Sequence, residues 1–414
     1  MKVLFTSPII EHPPAGGPQL RIENSIKALA RVCDLRIVAR TSRGFVGGAD
    51  AEDYFRRFGN EFSYSPCGAK QFANRYLRKA QQLWRSVGSC GYAADADFLL
   101  DYADRRDIDC IWFGYGNISF PLIKAIKERR PDIKVVCDTD SVWSRFVLRE
   151  LPFERNPVRK WVIQRKGQRK EVEEKQWVDL CNVTTAVSDV DAEYYKAIAG
   201  NPSRIHTFSN VIDLETYATP PPAPMELHKP CVYLAGTFGH YHSPMDVAAR
   251  WVLTDILPRA RKVIPNLHFY IVGRDSDRSL AHVREPGVSV LGKVPSVLPY
   301  LCHADVSLVP LKFESGTRFK ILEAAACNVP IVSTTLGAEG LEVQNREHLL
   351  VADNAERFAD AIVELIRNRS LASTLAVNCR DLVQKYYSVD RLEQQARRIL
   401  EYLANGESRA ESSR

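Results

Sequence analysis

The stretch ESGTRFKILEAAACNVPIVST, Glu314 to Thr334, sets a glycine turn, two cations and one glutamate ahead of an alanine-rich helix and a short apolar strand. With SLVP before it, the segment reads as strand, loop, helix, strand, the repeating unit of a parallel α/β sheet. Ligands of such sheets gather at the carboxyl ends of the strands, against a helix N-terminus. Phe319, Leu322, Ala326 and Val329 recur at three and four residues and would face the sheet, which leaves Lys320 and Glu323 together on the other side. The free N–H groups of the first turn and the helix dipole favour an anion; Gly316 admits close backbone approach, and Arg318 and Lys320 add charge. A carboxylate one turn further in repels a phosphate but accepts hydrogen bonds from a diol. The order therefore suits a nucleoside diphosphate, with the cations at the pyrophosphate and Glu323 on the ribose. An isolated Lys-x-x-Glu pair is what a solvated helix surface shows; the glycine turn and the strand before it point to a ligand.

The same pattern extends in both directions. CVYLAG, LHFYIVG, VSVLG, DVSLVP and PIVST form a series of short apolar strands separated by helical sequence after the proline-rich ATPPPAPMELHKP, Ala218 to Pro230. An earlier series begins with KVLFT, the loop EHPPAGGPQ, a helix over Arg21 to Val32 and the strand LRIVA, and continues through CIWFGY, KVVCD and NVTTAVS. Two doubly wound α/β domains follow, 1–211 and 212–387, joined near 211–230. A helix at about 388–405 comes after the second sheet is complete, and 406–414 reads as a flexible tail.

The 414-residue length agrees with two large domains. No apolar run approaches the roughly 18 to 20 residues that span a bilayer, and MKVLFTSPII lacks the core and cleavage site of a signal peptide, so a cytoplasmic location is expected. The ten cysteines include no CxxC and read as reduced, buried apolar residues. Net charge is +6, yet residues 1–210 carry 33 Lys+Arg against 26 Asp+Glu, and residues 211–414 carry 23 against 24. The excess concentrates in two acid-free segments, Lys70 to Arg85 with five cations and Arg155 to Lys170 with seven. Such stretches suit an anionic membrane surface, or equally an amphipathic helix packed on its own domain. No nucleic-acid-binding motif accompanies the charge.

ILEAAACNVPIVSTTLGAEGLEV, Ile321 to Val343, resembles the family 4 glycosyltransferases of the GT-B fold, in which a Glu-x7-Glu motif leads into EAxAxGxPVV. Glu323 matches the second glutamate; Ser315 stands where the first belongs, and Glu314 lies one position off. GTRFKILEA matches a branch of that family that reads GTRxKxLEA. The resemblance implies two Rossmann-like domains facing each other across a cleft, the last helix crossing back to the first domain. It implies transfer of a sugar from a nucleotide-diphosphate donor with retention of configuration, no cofactor and no essential metal, in assembly of a surface polysaccharide or glycoconjugate. Gly316 and Thr317 would lie near the donor sugar with Glu314 and Ser315, Arg318 and Lys320 at the diphosphate as catalytic charges, and Gly236, Thr237 and His240 in the loop after the first strand of the donor domain. Gly292 and Lys293 would lie near the nucleobase.

On the acceptor side, Gly16 and Gly17 match the family's glycine-rich loop, and the acceptor would be a glycan or a lipid-linked sugar brought to the inner membrane face. Asp138 and Asp140 follow a strand in CDTDSVWSRF and are candidates to orient the acceptor hydroxyl, although aspartates at strand ends also cap helices. GYGNIS, Gly114 to Ser119, imitates a dinucleotide fingerprint but has serine in place of its third glycine. His240 and His242 have no clustered partners for a metal site. Two other readings keep the same fold: a sugar-nucleotide epimerase, which would need no acceptor, and a non-catalytic nucleotide- or glycan-binding protein.

Overall fold

A computed structural model describes residues 1–66, 90–239 and 242–411. The chain divides into two compact units, one of Met1–Ser144, Gln164–Ser209 and Val389–Arg414, the other of Arg145–Ile163 and Asn210–Ser388. The C-terminal helix Val389–Glu411 thus belongs to the first unit and runs past Leu403, into the sequence expected to be a tail. The second unit includes a piece of the first half, Arg145–Ile163, that a split at 211 does not assign to it.

The first unit holds a seven-stranded parallel sheet made of β1 (Lys2–Ser7), β2 (Asp34–Ala39), β3 (Glu61–Tyr64), β4 (Cys110–Gly114), β5 (Lys134–Asp138), β6 (Val183–Ala186) and β7 (Ile205–Thr207). Their order is β3-β2-β1-β4-β5-β6-β7. The central strands are apolar on both faces; every residue of β4 is buried, as helix cover on both sides of a parallel sheet requires. Sequence patterning finds all of these strands except β3 and β7, the two edge strands, which are only partly buried and so carry no continuous apolar run.

The second unit holds a six-stranded parallel sheet of β8 (Cys231–Ala235), β9 (His268–Val272), β10 (Val288–Gly292), β11 (Val306–Val309), β12 (Ile331–Ser333) and β13 (Leu350–Val351), ordered β10-β9-β8-β11-β12-β13. Pairing is parallel throughout. In each sheet the strand order reverses once, between β1 and β4 and between β8 and β11. The carboxyl ends of the strands at such a reversal are the place where doubly wound sheets take their ligands.

Candidate functional site

Two loops flank the reversal point of the second sheet. The loop after β8 contains Gly236, half-buried, and Thr237, exposed; the loop after β11 runs through Glu314–Thr317 into the helix Phe319–Ala326. A close backbone approach fixes the first of them. Gly273, at φ +131°, lies so near the Gly236 carbonyl that a Cβ would stand 1.9 Å from its oxygen. Gly236 N–H in turn donates to Val272 O at 3.1 Å, and Phe238 N–H to Arg274 O at 2.9 Å. Gly292, buried at φ +67°, donates to Ser276 Oγ at 3.1 Å, while Lys293 beside it is exposed. His240 lies outside the described residues.

In the second loop Gly316 takes φ +79°, the left-handed region that glycine enters without cost, and this turns the chain into the helix. Of the expected sheet-facing residues, Leu322 and Ala326 are buried in the helix, Phe319 is half-buried and Val329 is buried just past its end; Ile321, Ala324 and Ala325 are buried as well, while Lys320 and Glu323 remain half-buried. Burial raises the Glu323 carboxyl to about 7, against the opposing pull of Lys320 and the Tyr217 hydroxyl, which lies 3.3 Å from Oε1. Burial lowers the Lys320 ammonium, with the charge of Glu314 acting against it. A carboxylate and an ammonium on one face, both poised away from their ordinary values, are what a built polar site shows.

Arg318 departs from the role its sequence suggests. Its side chain is 4% exposed and turned inward, donating from Nη1 to Ser315 O at 2.8 Å and from Nη2 to Leu336 O at 3.4 Å. It ties the loop after β11 to the turn after β12, which leaves Lys320 as the more exposed of the two cations. Ser315 Oγ is buried without a hydrogen-bond partner. Thr317, 7% exposed, accepts from Asn210 Nδ2 through Oγ1 at 2.8 Å. Glu314 is held by its carbonyl, which accepts from Arg149 Nη1 at 2.8 Å, and the same guanidinium forks onto Glu339 at 2.7 and 2.9 Å. Asn210, Tyr217, Arg149 and Glu339 are the residues that sequence reasoning missed. None stands in the strand–loop–helix motif, and only packing brings them to it.

At the reversal point of the first sheet, Gly16 caps the helix Gly17–Ala30 without a side-chain bond, and both glycines are half-buried. Asp138 differs from expectation. It is fully buried as the ion-pair partner of Arg21 and accepts from Thr185 Oγ1 at 2.6 Å, so its charge neutralises Arg21 and does not face an acceptor. Arg21 also donates to Phe208 O at 3.1 Å. Asp140 is half-buried; it accepts from Asn117 Nδ2 and, at 3.0 Å, from Trp143 Nε1, and burial raises its carboxyl above the ordinary value against those two donors. GYGNIS forms no phosphate turn: Gly116–Ser119 is a 3₁₀ turn whose Asn117 bonds to Asp140.

Of the two basic segments, 70–85 lies outside the described residues. The other forms the start of the helix Pro157–Leu180, where Val158, Trp161 and Val162 are 68%, 61% and 50% exposed. Among the described residues, no helix is long and apolar enough to cross a membrane.

Residues 233–368 match the model of a family described as Glycosyl transferases group 1. The phosphatidyl-myo-inositol mannosyltransferase of Mycobacterium leprae (strain TN) is 28% identical over 185 residues, which is 42% of this chain and 47% of that protein. The match thus spans about half the length of the curated relative. Among solved structures, the sucrose-phosphate synthase of Thermosynechococcus elongatus is similar with a TM-score of 0.69 and 15% identity, covering 98% of this chain and 100% of that one. Anabaena HepE, solved in complex with UDP and glucose, has a TM-score of 0.64 and 13% identity over 97% of this chain and 99% of that chain. At that identity the likeness is one of fold, and the fold is GT-B.

Proposed function

We propose that this chain, whose residues 233–368 form a group 1 glycosyltransferase domain, transfers a sugar from a nucleotide-diphosphate donor to a glycan, lipid-linked or other acceptor hydroxyl. The observation that carries the reading is the half-buried pair of Lys320 and Glu323 on one helix face at the reversal point of the second sheet, next to the backbone turn at Gly316. In this reading the loop N–H groups and Lys320 meet the diphosphate, and Glu323 accepts from the ribose hydroxyls. The UDP bound to Anabaena HepE makes uridine diphosphate sugars the first donors to try.

As the donor's C1–O bond breaks, negative charge grows on the leaving diphosphate, and fixed dipoles with a nearby ammonium stabilise it without rearrangement. We take the transfer to be retaining, the acceptor proton passing to a donor phosphate oxygen, and to require no metal and no cofactor. The product would be a surface polysaccharide or another glycoconjugate. The exposed Val158, Trp161 and Val162, interleaved with Arg159, Lys160, Arg165 and Lys166, support a peripheral site on an anionic membrane, the cytoplasmic face being where nucleotide sugars are available.

The test is thermal stability of the protein against UDP-, GDP-, ADP-, CDP- and TDP-sugars in the presence of a chelator, followed by product analysis with and without acceptor. One nucleotide series that raises the midpoint, and product only when acceptor is present, is the expected result. Turnover of the sugar nucleotide to an isomer without acceptor would make the protein an epimerase, and binding without turnover would make it a non-catalytic receptor.

A further inference from the structure

We propose that Arg149, a residue of the first half of the chain, is a positioning residue for the donor loop Glu314–Thr317. The inference rests on the reading of that loop as the donor site.

Arg149 lies outside the segment matched by the family model, in the Arg145–Ile163 piece that belongs to the second unit. Its guanidinium forks onto Glu339, Nη1 to Oε1 at 2.7 Å and Nη2 to Oε2 at 2.9 Å, and Nη1 also donates to Glu314 O at 2.8 Å. The two side chains are 27% and 26% exposed, so the pair is partly shielded and its planar geometry is that of the stronger class of charge-assisted bonds. Close by, Phe153 stacks on the buried Phe313 with ring centroids 5.5 Å apart, which anchors the same piece to the residue before Glu314.

Arg318 and Arg149 therefore make two ties between the same pair of loops. Arg318 joins Ser315 O to Leu336 O, and Arg149 joins Glu314 O to the Glu339 carboxylate. Two consecutive carbonyls of the loop are each held by a guanidinium, immediately before Gly316, whose backbone freedom would otherwise let the turn open. Glu314 is also the residue whose charge opposes the effect of burial on Lys320. Releasing its carbonyl alters both the direction of the loop N–H groups and the setting of the ammonium. A lysine at 149 keeps the charge but cannot make the fork.

The experiment compares Arg149→Ala, Arg149→Lys, Glu339→Gln and Arg149→Ala/Glu339→Gln with wild type. Arg346→Ala serves as control, because Arg346 makes a similar fork onto Glu364 at 3.2 and 2.6 Å elsewhere in the same unit. Amide exchange of Glu314–Arg318 without ligand, donor affinity and the KM for acceptor are measured for each. Expected are faster exchange in that loop and donor affinity about tenfold weaker in Arg149→Ala, with acceptor KM unchanged. Arg149→Lys should recover only part of the affinity, the double variant should be no worse than Arg149→Ala, and Arg346→Ala should match wild type in both. Unchanged loop exchange in Arg149→Ala overturns the positioning role whether or not a donor binds. Additive losses in the double variant, or donor affinity and acceptor KM impaired together, overturn it as well. Wild type that binds no nucleotide sugar refutes the donor-site reading, while the exchange data still decide whether Arg149 holds the loop.

Discussion

In the proposed donor site, Glu323 should make donor binding depend on pH. Its carboxyl titrates near 7 because burial disfavours the charged form, whereas a ribose diol donates hydrogen bonds and needs the carboxylate. If only the ionised form binds, apparent affinity scales with the ionised fraction, which rises from about one in eleven at pH 6 to about ten in eleven at pH 8 for a group titrating near 7. The dissociation constant of the nucleotide sugar should therefore fall about tenfold over that interval. An intact nucleotide sugar is the right probe, since its diphosphate lacks the second ionisation near pH 6 that a terminal phosphate has (about 6). Lys320, whose pKa burial lowers, acts in the opposite sense as it loses charge at higher pH, so a gain in affinity isolates the carboxyl. Glu323→Gln should bind weakly at both pH values with a flat profile. In the absence of ligand the sign also follows: a carboxyl raised by folding contributes stability that is present below about 4.5 and lost as pH rises through about 7. The Gln variant should accordingly gain thermal stability relative to wild type between pH 5 and pH 8, to be read by melting curves. Titration calorimetry at pH 6, 7 and 8 decides the binding claim, and an affinity that is flat or falls with pH in wild type would refute the assignment of Glu323 to the diol.

Three further expectations rest on separate features. Arg21→Met leaves Asp138 as an uncompensated buried charge and should cost about 3–5 kcal/mol of unfolding free energy, measured by denaturant melts, whereas a loss below about 1 kcal/mol would show the pair to be solvated. Gly273→Ala must move the Gly236 backbone and also strains a φ of +131°, so it should lower the melting midpoint and abolish nucleotide stabilisation together; a variant that melts and binds like wild type would show this approach to be slack. Trp161→Ala and Lys160→Glu should each weaken sedimentation with vesicles rich in anionic lipid and leave donor affinity alone, and equal sedimentation of all three proteins would remove the membrane site.

Most of the fold was legible because parallel sheets write strong local signals. β1, β4, β5, β8 and β9 are runs of five or six mostly buried residues, and turn residues separate them from their helices. β3, β7 and β13 are edge strands that are only partly buried, so they lack the unbroken apolar run that marks β6, β11 and β12, which are three or four residues long but buried throughout. The helix Phe319–Ala326 is legible for the same reason, since its period alone puts Lys320 and Glu323 on one side, although it begins two residues after Thr317 and ends before Val329. The Arg145–Ile163 piece was not. Its attachment to the second unit depends on Arg149 meeting Glu339 and Phe153 meeting Phe313, contacts across 190 and 160 positions that leave no local trace.

Arg318 shows where sequence reasoning about charge reaches its limit. A cation beside a glycine turn at a helix N-terminus predicts an anion ligand, yet two backbone carbonyls compete for the same five donors and are nearer. Burying a guanidinium at 4% exposure is tolerable only because those carbonyls replace water, and the reward is a fixed loop. Asp138 repeats the lesson with the opposite sign, an apparently accessible carboxylate that Arg21 and Thr185 have taken inward. In both cases the residue type was right for a site and the structure spends it on holding one. In the function proposed above, the chemistry would fall to neighbours three or fewer positions away that keep some exposure, Lys320 after β11 and Asp140 after β5. Substituting Lys320 should therefore weaken donor binding without loss of stability, while substituting Arg318 should weaken both, and calorimetry beside melting curves on Lys320→Ala and Arg318→Ala separates the two roles. Equal stability losses in the pair would place Lys320 in the scaffold as well and leave the backbone N–H groups of the loop as the anion's principal hold.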